Sequence, residues 1–505
     1  MVSISLFVEL LRTRPRVLFW AMAVLQVALW TLVPVLFFSA PPGALPQVLA
    51  IGHEFQLGTE FGPPLAFWLA DIVYLRLGLF GVYLLSQLCV VITYWAVLSL
   101  GRAIVGETHA VIAVLLMAGV AVFSVPTPEF GPSILATPLW ALILMHYWRA
   151  VGQGRRLLWL ALGLEAGLLL LTTYSGLILL GLLALFTLIN AKARAEAFNV
   201  EPMIAGVIAV AVLFPYLIWL DLAGGASLLD GTTIARNLRA WLQSTAVLAA
   251  SHVGLAVLAA LARSRMFGSS GQPPEVTGVK VDPAVRHFVY FFALAPALAM
   301  GLFVLFTPRT ENFITTPLVV MSGLAIVVAA GERIRIEHQY LIGPAWAALL
   351  VLPPLFVALS VAVLPWIYPI DLRVSRPAAE MGRFFAENFQ RRTGRPLAIV
   401  TGDQDTAALV ALAAPSRPSL YLKDKPVYAP TVQPQDIDEK GAVVLWAAAD
   451  ATGRPPPEIM QQYPNLVAEV PRAFERRFQG FLPVVRVGWG MIRPRTSIIP
   501  PLSPQ

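Results

Sequence analysis

The chain has 505 residues, of which 57% are hydrophobic and only 13% are charged. A soluble protein carries about 25% charged residues, so this composition excludes an ordinary soluble domain. The formal net charge of +7 comes without any run of basic residues interleaved with aromatic ones. A nucleic-acid groove would need such a run, so its absence argues against one, and we expect no nucleic-acid partner.

Apolar stretches of about 20 residues, the length that crosses a bilayer, recur along the first two thirds of the chain. They predict a polytopic α-helical membrane protein with about eleven transmembrane helices. The predicted spans lie near residues 17–39, 79–101, 108–125, 133–151, 157–173, 176–191, 203–221, 245–262, 288–307, 313–331 and 342–366. The run 157–191 can also be interpreted as one long kinked segment.

The distribution of basic residues predicts the orientation in the membrane. With the N-terminus in the cytoplasm, the inner loops hold fifteen Lys and Arg residues, and the outer loops before residue 367 hold four. Such an excess is typical of cytoplasmic loops. An odd number of spans then places the region after Trp366 outside. We therefore expect a multi-pass protein of a bacterial inner membrane, with a periplasmic C-terminal domain.

The loop between the first two predicted spans, residues 40–78, is too polar to cross a bilayer and is expected to carry most of the chemistry. It contains His53, Glu54, Glu60 and Asp71. It also contains two adjacent prolines after a glycine, which fix φ and remove two hydrogen-bond donors. We predict a stiff turn there, leading into a helix.

This loop resembles the integral-membrane GT-C glycosyltransferases, which include protein O-mannosyltransferases, aminoarabinose transferases and bacterial dolichyl-phosphate-mannose-protein mannosyltransferases. The resemblance lies in the GHEFQLG sequence at 52–58, in Pro63-Pro64-Leu65 and in Trp68. Two weaker matches support it: LTTYS at 171–175, where the family often has LTKY, and Thr316-Pro317-Leu318 at the start of a later span.

The resemblance implies a GT-C-like domain over residues 1–366 that transfers a sugar from a polyprenyl-phosphate-linked donor. The acceptor would be a lipid, a glycan or a protein at the periplasmic face. Such a reaction needs a carboxylate to take the proton of the attacking hydroxyl. Family members usually carry an acid early in the loop, where this chain has Ala44 and Gln47. The remaining candidates are Glu54 and Glu60, with Glu129 of the second outer loop as a helper.

The leaving polyprenyl phosphate needs fixed positive charge close to the membrane interface. Arg236, Arg239 and Arg309 lie in predicted outer loops and are the phosphate-binding candidates, and His53 is a candidate for polarising the substrate. The spacing from Thr232 onward predicts a short amphipathic helix on the membrane surface that carries Arg236 and Arg239. Snorkelling to ordinary lipid headgroups would account for the same arginines.

No protein metal site or other cofactor is predicted, and a need for a divalent cation is left open. The chain has no HExxH, GxSxG or Walker sequence, so metalloproteases, serine hydrolases and nucleotide-driven transporters lack their usual residues. A second hypothesis is a catalytically inactive relative that binds lipid or acts as a scaffold in the cell envelope. A transporter is a weaker third hypothesis, since no inverted repeat is evident.

Residues 367–505 are richer in charged residues and predict a soluble α/β domain. Apolar spacing predicts a helix over 378–392, and short apolar runs predict strands at 397–400, 442–446 and 484–492. Alternation of helices and strands favours a mainly parallel sheet. Gly402-Asp403 follows the first of these strands, and we interpret it as a turn rather than as a ligand site.

Overall fold

The computed structural model of the chain describes residues 5–59, 61–125, 128–197, 199–222, 234–263, 273–306, 316–422, 432–448 and 454–495. Its contacts divide the chain into two compact units. The first unit comprises Met1–Leu32, Phe61–Leu65 and Tyr83–Leu355. The second unit comprises Val33–Glu60, Ala66–Val82 and Phe356–Gln505, so the first loop packs together with the C-terminal region.

The part of the chain before residue 363 is almost entirely helical. Its helices are α1 (Leu6–Thr13), α2 (Pro15–Phe37), α3 (Leu45–Gly52), α4 (Leu65–Ile104), α5 (Glu107–Met117), α6 (Ala121–Ser124), α7 (Pro132–Tyr147), α8 (Leu158–Leu170), α9 (Gly176–Ile189), α10 (Ala191–Ala197), α11 (Val200–Leu222), α12 (Ile234–Ser251), α13 (Val253–Arg263), α14 (Pro283–Phe306), α15 (Ser322–Ala330) and α16 (Gln339–Ala362). Two short strands, β1 (Glu275–Thr277) and β2 (Arg333–Arg335), pair antiparallel.

Seven helical stretches within the described ranges are long and apolar enough to cross a membrane, and an eighth follows if the bent pair α9 and α10 is one span. This confirms a multi-pass helical membrane protein. Each predicted span overlaps a helix, but α5, α8 and the stretch Pro317–Ala330 are shorter than a full span. The number eleven therefore stays a prediction. The run 157–191 divides into α8 and α9, which are separate helices.

The region after residue 233 differs from its prediction. Helix α12 is 18 residues long rather than a short surface helix, and Asn237–Ala262 forms one of the apolar stretches long enough to span the membrane. The short amphipathic helix predicted from Thr232 onward was wrong in length, because the apolar residues that follow Trp241 continue the same helix.

Helix α4 is 40 residues long and bends at Gly78, whose φ of 62° and ψ of −157° are not helical. Glycine has no Cβ and adopts a positive φ without strain. The bend separates the predicted span 79–101 from the preceding stretch, 65–77, which follows the Pro63-Pro64 turn. The sequence predicted the turn and the span correctly, and it did not predict that one bent helix joins them.

The described residues of the C-terminal region form a five-stranded sheet and four α-helices. The helices are α17 (Ala378–Thr393), α18 (Gln404–Ala413), α19 (Pro434–Lys440) and α20 (Pro457–Gln462), and the strands are β3 (Ile399–Gly402), β4 (Ser419–Tyr421), β5 (Ala442–Ala447), β6 (Val467–Phe474) and β7 (Val485–Ile492). In the strand order β4-β3-β5-β7-β6, the pairs of β3 with β4 and with β5 are parallel. The two pairs formed by β7 are antiparallel, so the sheet is mixed rather than mainly parallel.

Apolar side chains on both faces stabilise this sheet. Phe385 and Phe389 of α17 are fully buried and pack against Trp489 and Met491 of β7. On the other face, Trp446 belongs to a second buried cluster. Burial of each large side chain stabilises the fold by about 1.5–3 kcal/mol, which accounts for a separate core in a part of the chain rich in charge.

Candidate functional site

The first loop forms a short helix, α3, that packs on α18 and on the start of α4. Pro46 lies in the first turn of α3, where its fixed φ suits a helix and its missing N–H is not needed. At the other end, a Cβ on Gly52 would lie 2.3 Å from the carbonyl oxygen of Phe67. Only glycine allows the backbones of α3 and α4 to approach this closely.

Asp71 of α4 is the most deeply buried acid beside the loop, and it is fully inaccessible to solvent. Arg417 donates a hydrogen bond of 2.8 Å from Nη2 to Asp71 Oδ1. The same nitrogen donates to the carbonyl oxygen of Leu49 in α3, at 3.1 Å. His53 Nδ1 lies 3.3 Å from Asp71 Oδ2. One carboxylate therefore connects α3, α4 and the turn between α18 and β4.

Arg417 is held on several sides at once. Its guanidinium carbon lies 4.9 Å from the ring centroid of Tyr74, within cation–π distance. Its backbone has a positive φ of 47°, which is uncommon for any residue other than glycine. Such strain persists only where the surroundings determine the conformation. The Asp71–Arg417 pair is therefore a built feature of the second unit rather than a chance surface contact.

Glu54 follows α3 directly and is partly buried. The backbone N–H of Glu54 donates to Ile51 O at 3.1 Å, and no described residue bonds to its carboxylate. The chain then turns at Phe55, whose φ is 48°. Trp68 Nε1 donates to Gln56 O at 2.9 Å and fixes the loop after the turn. Glu54 is thus an acid on a backbone that is constrained on both sides.

Of Ala44 and Gln47, which stand where the resemblance implies an acid, Gln47 lies beside charged groups. Ala44 begins α3 without a side-chain cap. Gln47 lines a cavity of about 20 Å³ together with Arg373, Arg376 and Asp405. Asp405 and Arg373 form an ion pair, with 2.9 Å between Oδ2 of Asp405 and Nη2 of Arg373. The cavity has room for about one water molecule rather than for a sugar.

In the first unit, the paired-proline turn is tied to the LTTYS sequence. The N–H of Leu65 donates to the carbonyl oxygen of Leu171 at 3.0 Å. Within LTTYS, Thr173 and Ser175 exchange a hydroxyl hydrogen bond of 3.0 Å. Tyr174 and Tyr216 share a phenolic hydrogen bond of 2.5 Å. Two sequence motifs that were identified separately are therefore in direct contact.

The other candidates are distributed as follows. Glu129 is half-buried and has interaction partners, and it belongs to the first unit. Arg239 is exposed on α12. Arg236 is the third residue of α12, and its side chain lies outside the described part of the chain. Glu60 and Arg309 lie wholly outside the described residues. The described residues bring together only His53 and Glu54 of the predicted set, next to Asp71.

Sequence reasoning noted Asp71 and missed Arg417. The sequence did indicate that Asp71 has a partner, because an acid among apolar residues at the start of a helix needs a buried partner. It did not indicate which residue that partner is. Gly402-Asp403 fits the interpretation as a turn: Asp403 caps α18, and its Oδ2 accepts from the N–H of Thr406 at 3.0 Å. Among the described residues, no group of three His, Cys, Asp or Glu side chains is placed to hold a metal ion.

The chain was compared with protein families, with curated proteins and with solved structures. Residues 62–219 match the family described as dolichyl-phosphate-mannose-protein mannosyltransferase, starting at the glycine before the paired prolines. No curated protein matches the chain in sequence.

Among solved structures, ArnT from Cupriavidus metallidurans bound to undecaprenyl phosphate matches 94% of this chain and 97% of its own, with a TM-score of 0.56 and 13% identity. Its apo state matches with a TM-score of 0.48 and 12% identity over the same shares of both chains. An apo oligosaccharyltransferase from Archaeoglobus fulgidus matches 79% of this chain and 64% of its own, with a TM-score of 0.43 and 15% identity.

At this level of identity the first match shows a shared fold, and the family match locates the shared sequence at the paired prolines and the helices that follow. The matched residues include the PPL sequence on which the resemblance partly rests. The resemblance is thereby confirmed: the chain has the GT-C fold of ArnT, and its residues 62–219 match the dolichyl-phosphate-mannose-protein mannosyltransferase family.

Proposed function

We propose that the chain transfers a sugar from a polyprenyl-phosphate-linked donor to a lipid, glycan or protein acceptor. The proposal places the reaction at the periplasmic face of a bacterial inner membrane, with residues 1–366 as the membrane domain and 367–505 as a periplasmic domain. It is supported by the family match over 62–219 and by the fold shared with ArnT, whose structure was solved with undecaprenyl phosphate.

The main support for the proposal is that Glu54 combines a carboxylate unpaired among the described residues with a fixed backbone. Its carboxylate has no bonding partner among the described residues, while the backbone around it is fixed by α3 and by the Trp68–Gln56 hydrogen bond. A general base needs free lone pairs and a fixed position within hydrogen-bond reach of the substrate. Asp71 is the opposite case, because Arg417 and His53 already occupy its oxygens. Glu54 is therefore our first candidate, ahead of Glu60 and Glu129.

Stabilisation of the leaving phosphate is assigned to cations near the same membrane interface. Arginine suits this task because its planar guanidinium offers two parallel donors to a phosphate. Arg309, Arg239 and Arg236 are the proposed partners, and His53 is proposed to polarise the substrate beside Glu54. A divalent cation is an alternative source of positive charge, and a chelator arm in the assay separates the two.

The test is transfer of radiolabelled sugar from a panel of polyprenyl-phosphate donors in purified membranes. Wild type is compared with Glu54→Gln, Glu60→Gln and Glu129→Gln at equal expression. Glu387→Gln, an exposed residue of α17, is the matched control. We expect at least a 100-fold loss of turnover in Glu54→Gln, in line with the usual contribution of a general base, and wild-type turnover in the control. Full activity of Glu54→Gln would remove it as the base.

A second function is favoured by the region around Ala44 and Gln47. The usual early acid is absent, and the adjacent cavity of about 20 Å³ has no room for a sugar. A catalytically inactive relative that binds lipid or supports a cell-envelope complex would tolerate both features. Absence of turnover with every donor, together with binding of undecaprenyl phosphate that Glu54→Gln leaves unchanged, would favour this second function over transfer.

A further inference from the structure

A cavity within the first unit is lined by none of the candidate site residues described above. Its volume is about 650 Å³, within the range of about 300–1,000 Å³ that is common for ligand sites. The walls come from α1, α5, α13, α15 and α16, and they are mainly leucine, isoleucine and alanine. A hydrophilic metabolite would lose its hydration against such walls without compensation, so the walls favour a hydrocarbon chain.

One rim of the cavity is basic. Arg333 and Arg335 of β2 line it, and because strand side chains alternate, the two lie on the same face of β2. Each Nε is 3.6 Å from one oxygen of Glu275, which is longer than a hydrogen bond. A third guanidinium, that of Arg12, donates to the backbone oxygen of Glu275 at 2.6 Å rather than to its carboxylate.

Two guanidinium groups, those of Arg333 and Arg335, thus lie near the carboxylate of Glu275, and that of Arg12 lies at its backbone oxygen. Among the described residues that line the cavity, the acidic one is Glu337. The charged residues that line the cavity are therefore two arginines and one glutamate, and the side chains of Arg333 and Arg335 are mostly exposed. An anion placed beside Arg333 and Arg335 would accept charge-assisted hydrogen bonds from them. Glu275, at 3.6 Å, does not accept such bonds.

The wall also contains an unused donor. Trp346 of α16 lines the cavity, and its indole Nε1 is buried with no acceptor among the described residues. A buried N–H that lacks an acceptor is unfavourable because it has lost its hydrogen bond to water. Its ring is held against Phe7 of α1 at 5.7 Å between centroids. A ligand with oxygen atoms between its hydrocarbon and its anionic group would satisfy this donor.

We propose that this cavity binds an anionic glycerophospholipid, with one acyl chain between the apolar walls and the phosphate at Arg333 and Arg335. The ester oxygens of such a lipid would offer the acceptor that the indole N–H of Trp346 lacks among the described residues. The rim belongs to the loop 331–340, which the sequence predicts to be cytoplasmic, and anionic phospholipids supply the negative surface potential of that leaflet. The site does not depend on the proposed sugar transfer.

The test is native mass spectrometry of the purified full-length protein with added dioleoylphosphatidylglycerol or dioleoylphosphatidylcholine. We expect wild type to retain phosphatidylglycerol at least fivefold better than phosphatidylcholine, and Arg333→Gln/Arg335→Gln to abolish that preference. Arg102→Gln/Arg286→Gln, which removes two exposed arginines that do not line the cavity, should keep it. Ala329→Trp, which fills the cavity from its wall, should reduce binding of both lipids.

Three results would overturn the proposal. One is an unchanged lipid preference in Arg333→Gln/Arg335→Gln, and another is an equal loss in the control pair. The third is preferential binding of undecaprenyl phosphate that depends on Arg333 and Arg335, because the occupant would then be the carrier lipid. A wild-type experiment covers the case of a variant that fails to fold. Phosphatidylglycerol with a photoreactive acyl chain should label residues 258–262 and 326–337, and labelling elsewhere alone would contradict the site.

Discussion

The guanidinium of Arg417 lies 2.8 Å from the carboxylate of Asp71, although 346 positions separate the two residues along the chain. Asp71 is fully buried and Arg417 is nearly so. In such a pair, removal of one partner leaves an uncompensated charge inside the protein, which is far more unfavourable than losing a surface ion pair.

A double-mutant cycle measures this relationship. Arg417→Gln and Asp71→Asn should each lower the free energy of unfolding by about 3–5 kcal/mol, and the double variant should lose much less than the sum. Equilibrium unfolding in mixed micelles gives the coupling energy. The surface pair Lys440 and Asp436, 2.9 Å apart, is far less buried; it is the control and should couple by less than about 1 kcal/mol. Additive effects of Asp71 and Arg417 would contradict the pairing.

Gly52 tests the contact between α3 and α4. The Cβ of Gly52→Ala would lie 2.3 Å from Phe67 O, so the helices must separate, and we expect unfolding to become easier by about 1–3 kcal/mol, as for other overpacked sites. Gly206→Ala in α11 meets no atom within 4 Å and should be neutral or stabilising by up to about 1 kcal/mol. Thermal unfolding of the two variants side by side makes the comparison, and equal midpoints would argue against the close contact.

His53 separates a structural role from a role in substrate binding. Its Nδ1 is 3.3 Å from Asp71, but more than a third of its side chain is exposed. We therefore expect His53→Asn to change the free energy of unfolding by less than about 1 kcal/mol. If His53 polarises the substrate as proposed, kcat/KM should fall at least tenfold with the protein still folded. A loss of stability in proportion to the loss of transfer would make His53 a structural residue.

Asp403 tests whether the turn after β3 has a purely local role. Its carboxylate accepts from both the N–H and the hydroxyl of Thr406 at the start of α18. Asp403→Ala should lower the free energy of unfolding by about 1 kcal/mol, and Asp403→Asn, which keeps an acceptor, by much less. Sugar transfer by either folded variant should match wild type. Loss of transfer in a folded Asp403→Asn variant would indicate that this turn binds a ligand.

Local patterns predicted most of the fold. Helix α17 was expected at 378–392 because its phenylalanines recur at helical spacing, and it was found at Ala378–Thr393. Strand β6 was missed, since its residues are mostly exposed and include Pro471, so it shows neither clean alternation nor a continuous apolar run. The mixed sheet was missed for another reason: β7 was predicted as a strand, but its antiparallel pairing with β5 and β6 depends on how the chain returns to the sheet rather than on local sequence.

The candidate site was predictable only in part. The loop and its GHEFQLG sequence were identified because the residues that carry the family resemblance are contiguous. Asp71 was visible as an acid beside apolar residues, but nothing local selects Arg417 from the arginines of a region rich in them. That choice depends on how α18 and β4 pack against α3, which is a tertiary relationship. Long-range partners of this kind are the part of a site that periodicity and composition do not encode.

The second unit is assembled from three separate segments of the chain, and this limits how the protein can be divided or recombined. A truncation at residue 355 would remove the partner of Asp71 and the helix on which α3 packs, so it would damage the loop as well as delete the C-terminal region. Chimeras with a related transferase should exchange 33–60, 66–82 and 356–505 as one set. A chimera that received only the C-terminal region would place Arg417 beside the first loop of the other protein. Changes in one segment must therefore be matched by changes in the others.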